Sequence, residues 1–312
     1  MAKAPQSQPA PPPLLAYRGS VNAWECDEND HLNIRFFVQK AWQCAGALAA
    51  AIALPHAFQR NAAATLVPRD IHIRFLREAR NADALSGYAG VLAISETAAR
   101  ILVELRHADG APAAALTLAV EHVAVRTQEP FAWSRRAHAA LEALQCAPPP
   151  HAAARGIDAE RAPGPASLEA ADRFGAALIG AGAFGAEECD VFGRMRPEIA
   201  IGRISDSIPN LLRPRMLAAI GPDVGVVAVE YRLAFRAWPA AGDLFHIRSA
   251  TAAFDGKARL MTHWLLDPVS GAPWVTAQGV GLLFDRAARK AIALDRTQAD
   301  AARGVFAPEM AL

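Results

Sequence analysis

Two stretches of the chain carry the same succession of apolar and polar positions. In the first, Leu14 to Cys26 reads as an extended run, and an acid-rich junction follows it. Beyond the junction, Ile34, Phe37, Val38, Ala41, Ala45, Leu48 and Ile52 recur at steps of three and four, with Arg35, Gln39, Lys40 and Gln43 on the other side. That spacing predicts an amphipathic helix with a polar outer face, ended by Pro55. In the second stretch, Ala177 to Cys189 is again extended. A helix is expected from Pro197, a residue suited to the first helical position, to a stop or kink near Pro209.

The strand-like runs that follow also correspond. "IHIRFLREARNADAL" (Ile71 to Leu85) faces "YRLAFRAWPAAGDLF" (Tyr231 to Phe245), each an alternating run closed by a polar turn. Ser95 to Val125 then faces Phe254 to Phe284, each reading as strand, turn, strand, with "DGAP" and "SGAP" at the turns. Strand, helix and about four strands per half predict an α+β fold in which one antiparallel sheet wraps one central helix, twice in tandem. The expected organisation is a disordered tail over 1–13, domains over 14–126 and 173–290, a linker over 127–172 and a C-terminal tail over 291–312. The linker is rich in Ala and Pro, with a short helix expected around Arg135 to Leu144. The tail after Lys290 is expected to be loosely helical at best.

Composition narrows the partners. A chain of 312 residues with 53% hydrophobic residues can bury two cores. A formal net charge of +1 gives no global field for nucleic acid or an anionic membrane. No apolar run approaches the roughly 20 residues needed to span a bilayer. "MAKAPQSQPAPPPLL" lacks the apolar centre of a secretory signal, so a cytoplasmic location is expected. The four cysteines, Cys26, Cys44, Cys146 and Cys189, form no CxxC, and no His pair has ligand spacing. Neither a disulfide framework nor a metal site is expected. Cys26 and Cys189, at the ends of the opening runs, read as small packing residues.

The chemistry gathers at the two junctions, "CDENDHLN" (Cys26 to Asn33) and "CDVFGRMR" (Cys189 to Arg196). A strand followed by Asp-x-x-Gly-His-x-Asn and a buried helix resembles the hotdog-fold acyl-CoA thioesterases of the 4-hydroxybenzoyl-CoA thioesterase type. The first half supplies Asp27, His31 and Asn33, with Asp30 where that family has glycine. The second supplies Asp190 and Gly193, with Arg194 and Arg196 in the His and Asn places. The resemblance implies two tandem hotdog domains, Asp27 as the catalytic carboxylate, no cofactor and an acyl-CoA substrate. It leaves open self-association of the tandem unit.

Thioester hydrolysis needs a carboxylate that attacks or activates water, and donors for the oxyanion. The helix start offers the backbone amides of Ile34, Arg35, Phe36 and Phe37, with His31 to orient or polarise and Asn33 to cap. Arg69, Arg74, Arg77 and Arg80 are candidates for coenzyme A phosphates. Asp190, Arg194 and Arg196 form a candidate second site, in which an arginine beside the acid would tie it up in an ion pair. Each residue also has a plainer reading: Asp27 as a turn former, Asn33 as a cap, His31 as a solvated loop residue and the arginines as a solvated strand edge.

"GAGAFG" (Gly180 to Gly185) matches a dinucleotide pattern but falls within the expected opening strand of the second half, not at a strand-to-helix turn, so no such site is expected. No GxSxG, Walker loop or HExxH is present. Two rivals to a thioesterase stand: a hotdog hydratase acting on an acyl thioester, and a non-catalytic acyl-CoA binder.

Overall fold

A computed structural model describes residues 12–220, 224–285, 288, 290–297, 299, 304–310 and 312, with side chains for all of these but 212–220. The tail expected to be disordered lies, but for its last two residues, outside the described residues. The chain divides into two compact units. One contains the residues up to Val67 together with Arg74–Ala153, and the other contains Pro68–Ile73 and Ala154 onward.

In the first unit the apolar stripe forms α1 (Ile34–Ala51), which buries Phe37, Val38, Ala41, Cys44, Ala45, Leu48 and Ala49. Each large side chain so buried contributes about 1.5–3 kcal/mol. It packs against strands β1 (Leu14–Ser20), β3 (Ala84–Ile94), β4 (Ala98–His107) and β5 (Pro112–Ala124). The sheet order is β1-β3-β4-β5-β2, with β2 spanning Ala64–Phe75. The second unit repeats this layout with β6 (Ala177–Ala183), α4 (Pro197–Ile220), β7 (Val224–Phe235), β8 (Leu244–Phe254), β9 (Ala258–Leu266) and β10 (Pro273–Asp285). Its sheet order, β6-β8-β9-β10-β7, is the first order again. The irregularities repeat as well: the register shifts between Leu15 and Tyr17 and between Leu178 and Gly180, then between Val91 and Ala93 and between Thr251 and Ala253. Bulges at matched places bend each sheet around its helix. Gly110 (φ 82°) and Gly271 (φ 76°) make the left-handed turns expected of "DGAP" and "SGAP".

Several expectations need correction. The opening strands stop at Ser20 and Ala183, short of the cysteines, and one-turn 3-10 helices follow at Ala23–Glu25 and Ala186–Glu188. Pro209 does not stop α4, which runs on to Ile220. An interior proline gives up one hydrogen bond, and the helix continues. Lys40, placed on the polar side of α1 by periodicity, is buried. The C-terminal segment is helical at Arg296, Thr297 and Ala299, as expected of a loosely helical tail, but its end is packed down. Ala307 and Met310 join Trp264, Leu266 and Ala250 in one apolar cluster, and Phe306 bridges Thr251.

The middle of the chain holds α2 (Arg135–Ala143), as expected, and α3 (Leu168–Arg173). In the first unit Ala152 and Cys146 cover Leu102 and Ala115. In the second unit the segment Pro68–Ile73 is held by two buried contacts. His72 Nε2 lies 2.8 Å from Glu230 Oε1, and Arg232 Nη2 lies 2.8 Å from Asp70 Oδ2.

Candidate active site

The loop that follows Cys26 is built by its own side chain. Asp27 Oδ1 accepts from the backbone N–H of Asn29 (2.8 Å) and of His31 (3.3 Å), and the Asp27 N–H donates to the His31 carbonyl at 2.8 Å. In the second unit Asp190 Oδ1 accepts from the N–H of Phe192 (2.8 Å) and Arg194 (3.0 Å), and the Asp190 N–H donates to the Arg194 carbonyl at 2.7 Å. The turn needs a left-handed residue, supplied by Asp30 (φ 59°) in one copy and Gly193 (φ 80°) in the other. Aspartate tolerates that region better than most side chains, which is why the motif survives without its glycine.

Beneath each loop is a buried charged strut that spacing alone did not reveal. Glu25 Oε2 accepts from Asn22 N–H at 2.9 Å, while Glu25 Oε1 lies 2.6 Å from Lys40 Nζ on α1. Glu188 does the same, accepting from Gly185 N–H at 2.9 Å and from Arg203 Nη2 on α4 at 2.7 Å. The carbonyls of Glu25 and Glu188 accept from the N–H of Asn33 (2.9 Å) and Arg196 (2.8 Å). Each acidic loop is thereby fixed to the start of its helix. The signal was a Glu with a basic residue 15 positions later in both halves.

Above the loop the two copies part. Arg194 Nη2 and Nε lie 2.9 and 3.2 Å from Asp190 Oδ2, so both oxygens of that carboxylate are committed. His31 stands in the place of Arg194, and Asp27 Oδ2 has no hydrogen-bond or ion-pair partner among the described residues. His31 Nε2 lies 3.1 Å from Glu78 Oε2, and Arg80 Nη2 lies 3.4 Å from both. The nitrogen can donate to Glu78 or accept from Arg80, not both, and the shorter, charge-assisted contact is the one to Glu78. A backbone bridge joins His31 to Arg80, as another joins Arg194 to Ala240. Where the first unit has Glu78 and Arg80, the second therefore has Trp238 and Ala240. Glu78 was not anticipated; it is far away in sequence and no local pattern marks it.

Asn33 is the N-cap of α1, its Oδ1 accepting from the Arg35 N–H at 3.0 Å, and the Phe36 N–H donates to the Asn33 carbonyl at 2.9 Å. Of the four amides expected to hold an oxyanion, those of Arg35 and Phe36 are thus engaged and that of Phe37, in the fourth helical position, enters the helix ladder, which leaves Ile34. Arg196, the counterpart of Asn33, donates to the Glu187 carbonyl at 2.7 Å and pairs with Glu198 at 3.4 Å.

The four arginines assigned to coenzyme A do not converge on the site. Arg74 is buried and donates to the Ala153 carbonyl at 2.6 Å, so it cannot serve at a cleft mouth. Arg77 is exposed and paired with Asp109, Arg69 is half-buried in the part of β2 that belongs to the second unit, and only Arg80 adjoins His31. Cys26 and Cys189 are half-buried, their thiols 3.6 Å from the carbonyls of Asn22 and Gly185. Burial first, and then the neighbouring acids, raise both thiol pKa values, the reverse of what a nucleophile needs. No helix among the described residues is long and apolar enough to cross a membrane.

One antiparallel sheet around one helix, present twice in a single chain with an acid-bearing loop at each helix start, defines the double-hotdog class. Residues 21–155 match the Thioesterase-like superfamily. An acyl-ACP thioesterase from Bacteroides thetaiotaomicron is similar over 85% of this chain and 96% of its own, at 13% identity and a TM-score of 0.63. A putative oleoyl thioesterase from Lactobacillus plantarum covers 87% and 96% at 13% identity and a TM-score of 0.66. The 12:0-ACP thioesterase of Umbellularia californica covers 86% and 93% at 11% identity and a TM-score of 0.66. A sequence comparison with curated proteins finds no match. The family match is thus carried by residues 21–155, and the likeness to these structures shows that the double-hotdog fold extends over most of the chain.

Proposed function

We propose that the chain hydrolyses an acyl thioester at the Asp27 loop of its first unit. The observation that carries this reading is that Asp27 Oδ2 has no partner among the described residues, whereas the same oxygen of Asp190 is held by Arg194. Asp27 Oδ2 either takes a proton from water, whose oxygen adds to the thioester carbonyl, or adds to that carbonyl itself. The negative charge that develops on the carbonyl oxygen falls at the start of α1, where the Ile34 amide and the helix dipole favour it. The C–S bond then breaks, and the thiolate takes up the proton that Asp27 holds; where Asp27 itself has added, water instead protonates the thiolate and hydrolyses the Asp27 anhydride, restoring the carboxylate. His31, held by Glu78, polarises the reacting group.

The acyl carrier is proposed to be coenzyme A, with Arg80 and Arg77 as the remaining candidates for its phosphates. A protein-bound phosphopantetheine is the rival favoured by two of the similar structures, which are named as ACP thioesterases. Release of thiol from matched acyl-CoA and acyl-carrier-protein substrates tests both. Hydrolysis of the first at the higher kcat/KM supports coenzyme A, and the opposite order assigns the carrier protein. Water added to the chain without free thiol would identify a hydratase, and binding without either product an acyl-thioester binder.

A further inference from the structure

The interior of the second unit differs in kind from that of the first. Where the first sheet has Ala89 opposite Val103, the second has Ser249 opposite His263 in the same register. Tyr231 likewise stands where "IHIRF" has Ile71. Ser249 Oγ lies 2.7 Å from His263 Nδ1, and the rings of Tyr231 and His263 stack at 6.1 Å with 10° between their planes. Room for the rings comes from β10, where Ala277 and Gly279 replace Leu116 and Leu118 of β5. A Cβ on Gly279 would strike the Tyr231 ring at 2.4 Å. The cluster is on the helix side of the sheet: Ile247, two residues from Ser249 on β8, lies with Ser207 of α4 around Gly180.

One buried polar atom there is unmet, and an unpaired hydroxyl stands beside it. His263 is 0% exposed, and its Nε2 has no hydrogen-bond partner among the described residues. Tyr231 is 3% exposed, and its hydroxyl has none either. Burial holds the imidazole neutral, with its pKa pushed down to about 3, and raises that of the phenol. Side chains of this kind are retained inside an apolar core at a cost unless something satisfies them. Beside them the lining is less deeply buried than its counterpart. Residues 224–229 of β7 are all apolar yet only half-buried, whereas Thr65, Leu66, Val67 and Pro68 of β2 are buried. Ile208, Leu211, Val226 and Phe254 are partly buried around Met261, the next inward-facing residue to His263 on β9.

We propose that the interior of the second unit binds an acyl chain carrying a hydroxyl or keto oxygen partway along its length. The methylenes lie along Ile208, Leu211, Val224 and Val226, and the oxygen reaches His263 Nε2 and the Tyr231 hydroxyl. Tyrosine donates or accepts and neutral histidine can do either at Nε2, so both oxygen types are satisfied. The choice of an acyl ligand rests on the thioesterase reading above, but binding requires no turnover.

The test is displacement of a fluorescent fatty acid from the full chain by saturated fatty acids of one length. Each competitor carries a single hydroxyl or keto group at a different carbon, and the unsubstituted acid is the reference. The expected result is one position that binds at least about tenfold more tightly than the reference, because a buried polar site penalises the ligand that leaves it unpaired. Tyr231→Phe, which removes one oxygen, and His263→Leu should each reduce that preference by at least about threefold while leaving the reference affinity in place. Equal binding of every acid by the wild type overturns the proposal, as does a preference unchanged in both variants, which would leave only buried water at these atoms. Tyr231→Phe keeps the test decisive if His263→Leu fails to fold. Thioester hydrolysis without this preference would defeat this proposal alone, and the preference without hydrolysis would defeat the thioesterase reading alone.

Discussion

Arg194 Nη2 lies 2.9 Å from Asp190 Oδ2, in the place that His31 occupies above Asp27. An arginine is a permanent cation, so the second carboxylate is held in an ion pair, while the first keeps one oxygen available for chemistry. Asp27→Asn should lower turnover by at least about a hundredfold, the lower range for losing a general acid or base. Asp190→Asn should chiefly reduce stability. Steady-state kinetics on the best acyl thioester, with folding checked by circular dichroism, decides it. Full activity in folded Asp27→Asn would reduce this loop to a turn and a cap.

Glu78 meets His31 at 3.1 Å, and under the proposed function it acts on the site through that residue. Glu78→Gln keeps the shape but removes the charge, so kcat should fall by about tenfold, a small part of what acid–base groups supply, with KM little changed. Glu78→Asp should recover part of the loss. A change confined to KM would show that Glu78 contacts substrate instead.

Lys40 is 2% exposed and Glu25 5%, and their charges meet at 2.6 Å. Removing one partner of a buried pair strands the other, so Lys40→Met should cost about 3–5 kcal/mol. Lys40→Arg should be far milder, because Arg203 already performs this role in the second unit. Urea unfolding measures both, and a Lys40→Met protein as stable as the wild type would show that the strut contributes nothing.

Much of this was legible in the sequence because the chain says it twice. The apolar stripe from Ile34 to Ile52, the glycine turns at Gly110 and Gly271, and the paired Asp loops each have a counterpart, so local patterns reinforced one another. Lys40 was misassigned because periodicity records which side of a helix a residue takes, and not whether a partner such as Glu25 waits there. Of the stop or kink expected near Pro209, the stop did not occur because interior prolines end helices only when packing does not hold them. Glu78 left no trace, since its contact with His31 depends on a strand returning from a distant part of the chain. The asymmetry of Asp27 and Asp190 was visible in Arg194, but the ion pair itself needed geometry.

Asp30 adopts φ 59° where Gly193 adopts 80°. Glycine enters the left-handed region without a Cβ penalty, against which it brings greater freedom to the unfolded chain. Relief of the strain should prevail, so that Asp30→Gly stabilises by about 0.5–1 kcal/mol and leaves turnover within about twofold. A shift in the denaturation midpoint reads the first effect. A destabilised variant would mean that Asp30 contributes more through its side chain than its backbone conformation costs.

Glu230 gives the fold an acid-sensitive contact. Burial alone would raise its pKa, but hydrogen bonds from His72 Nε2 at 2.8 Å, Gly156 N–H at 2.8 Å and Arg155 N–H at 3.0 Å outweigh burial and hold the carboxyl below its ordinary value. A carboxyl whose folded pKa is depressed stabilises the fold fully above its unfolded pKa of about 4.3, and loses that contribution as pH falls through the lower, folded value. Glu230→Gln removes the titrating group. The stability difference between wild type and variant, measured by urea unfolding, should be constant near neutral pH and shrink as pH falls below about 4.3. A difference that stays the same down to the onset of global acid unfolding would show that the carboxylate is not the ionised partner of His72.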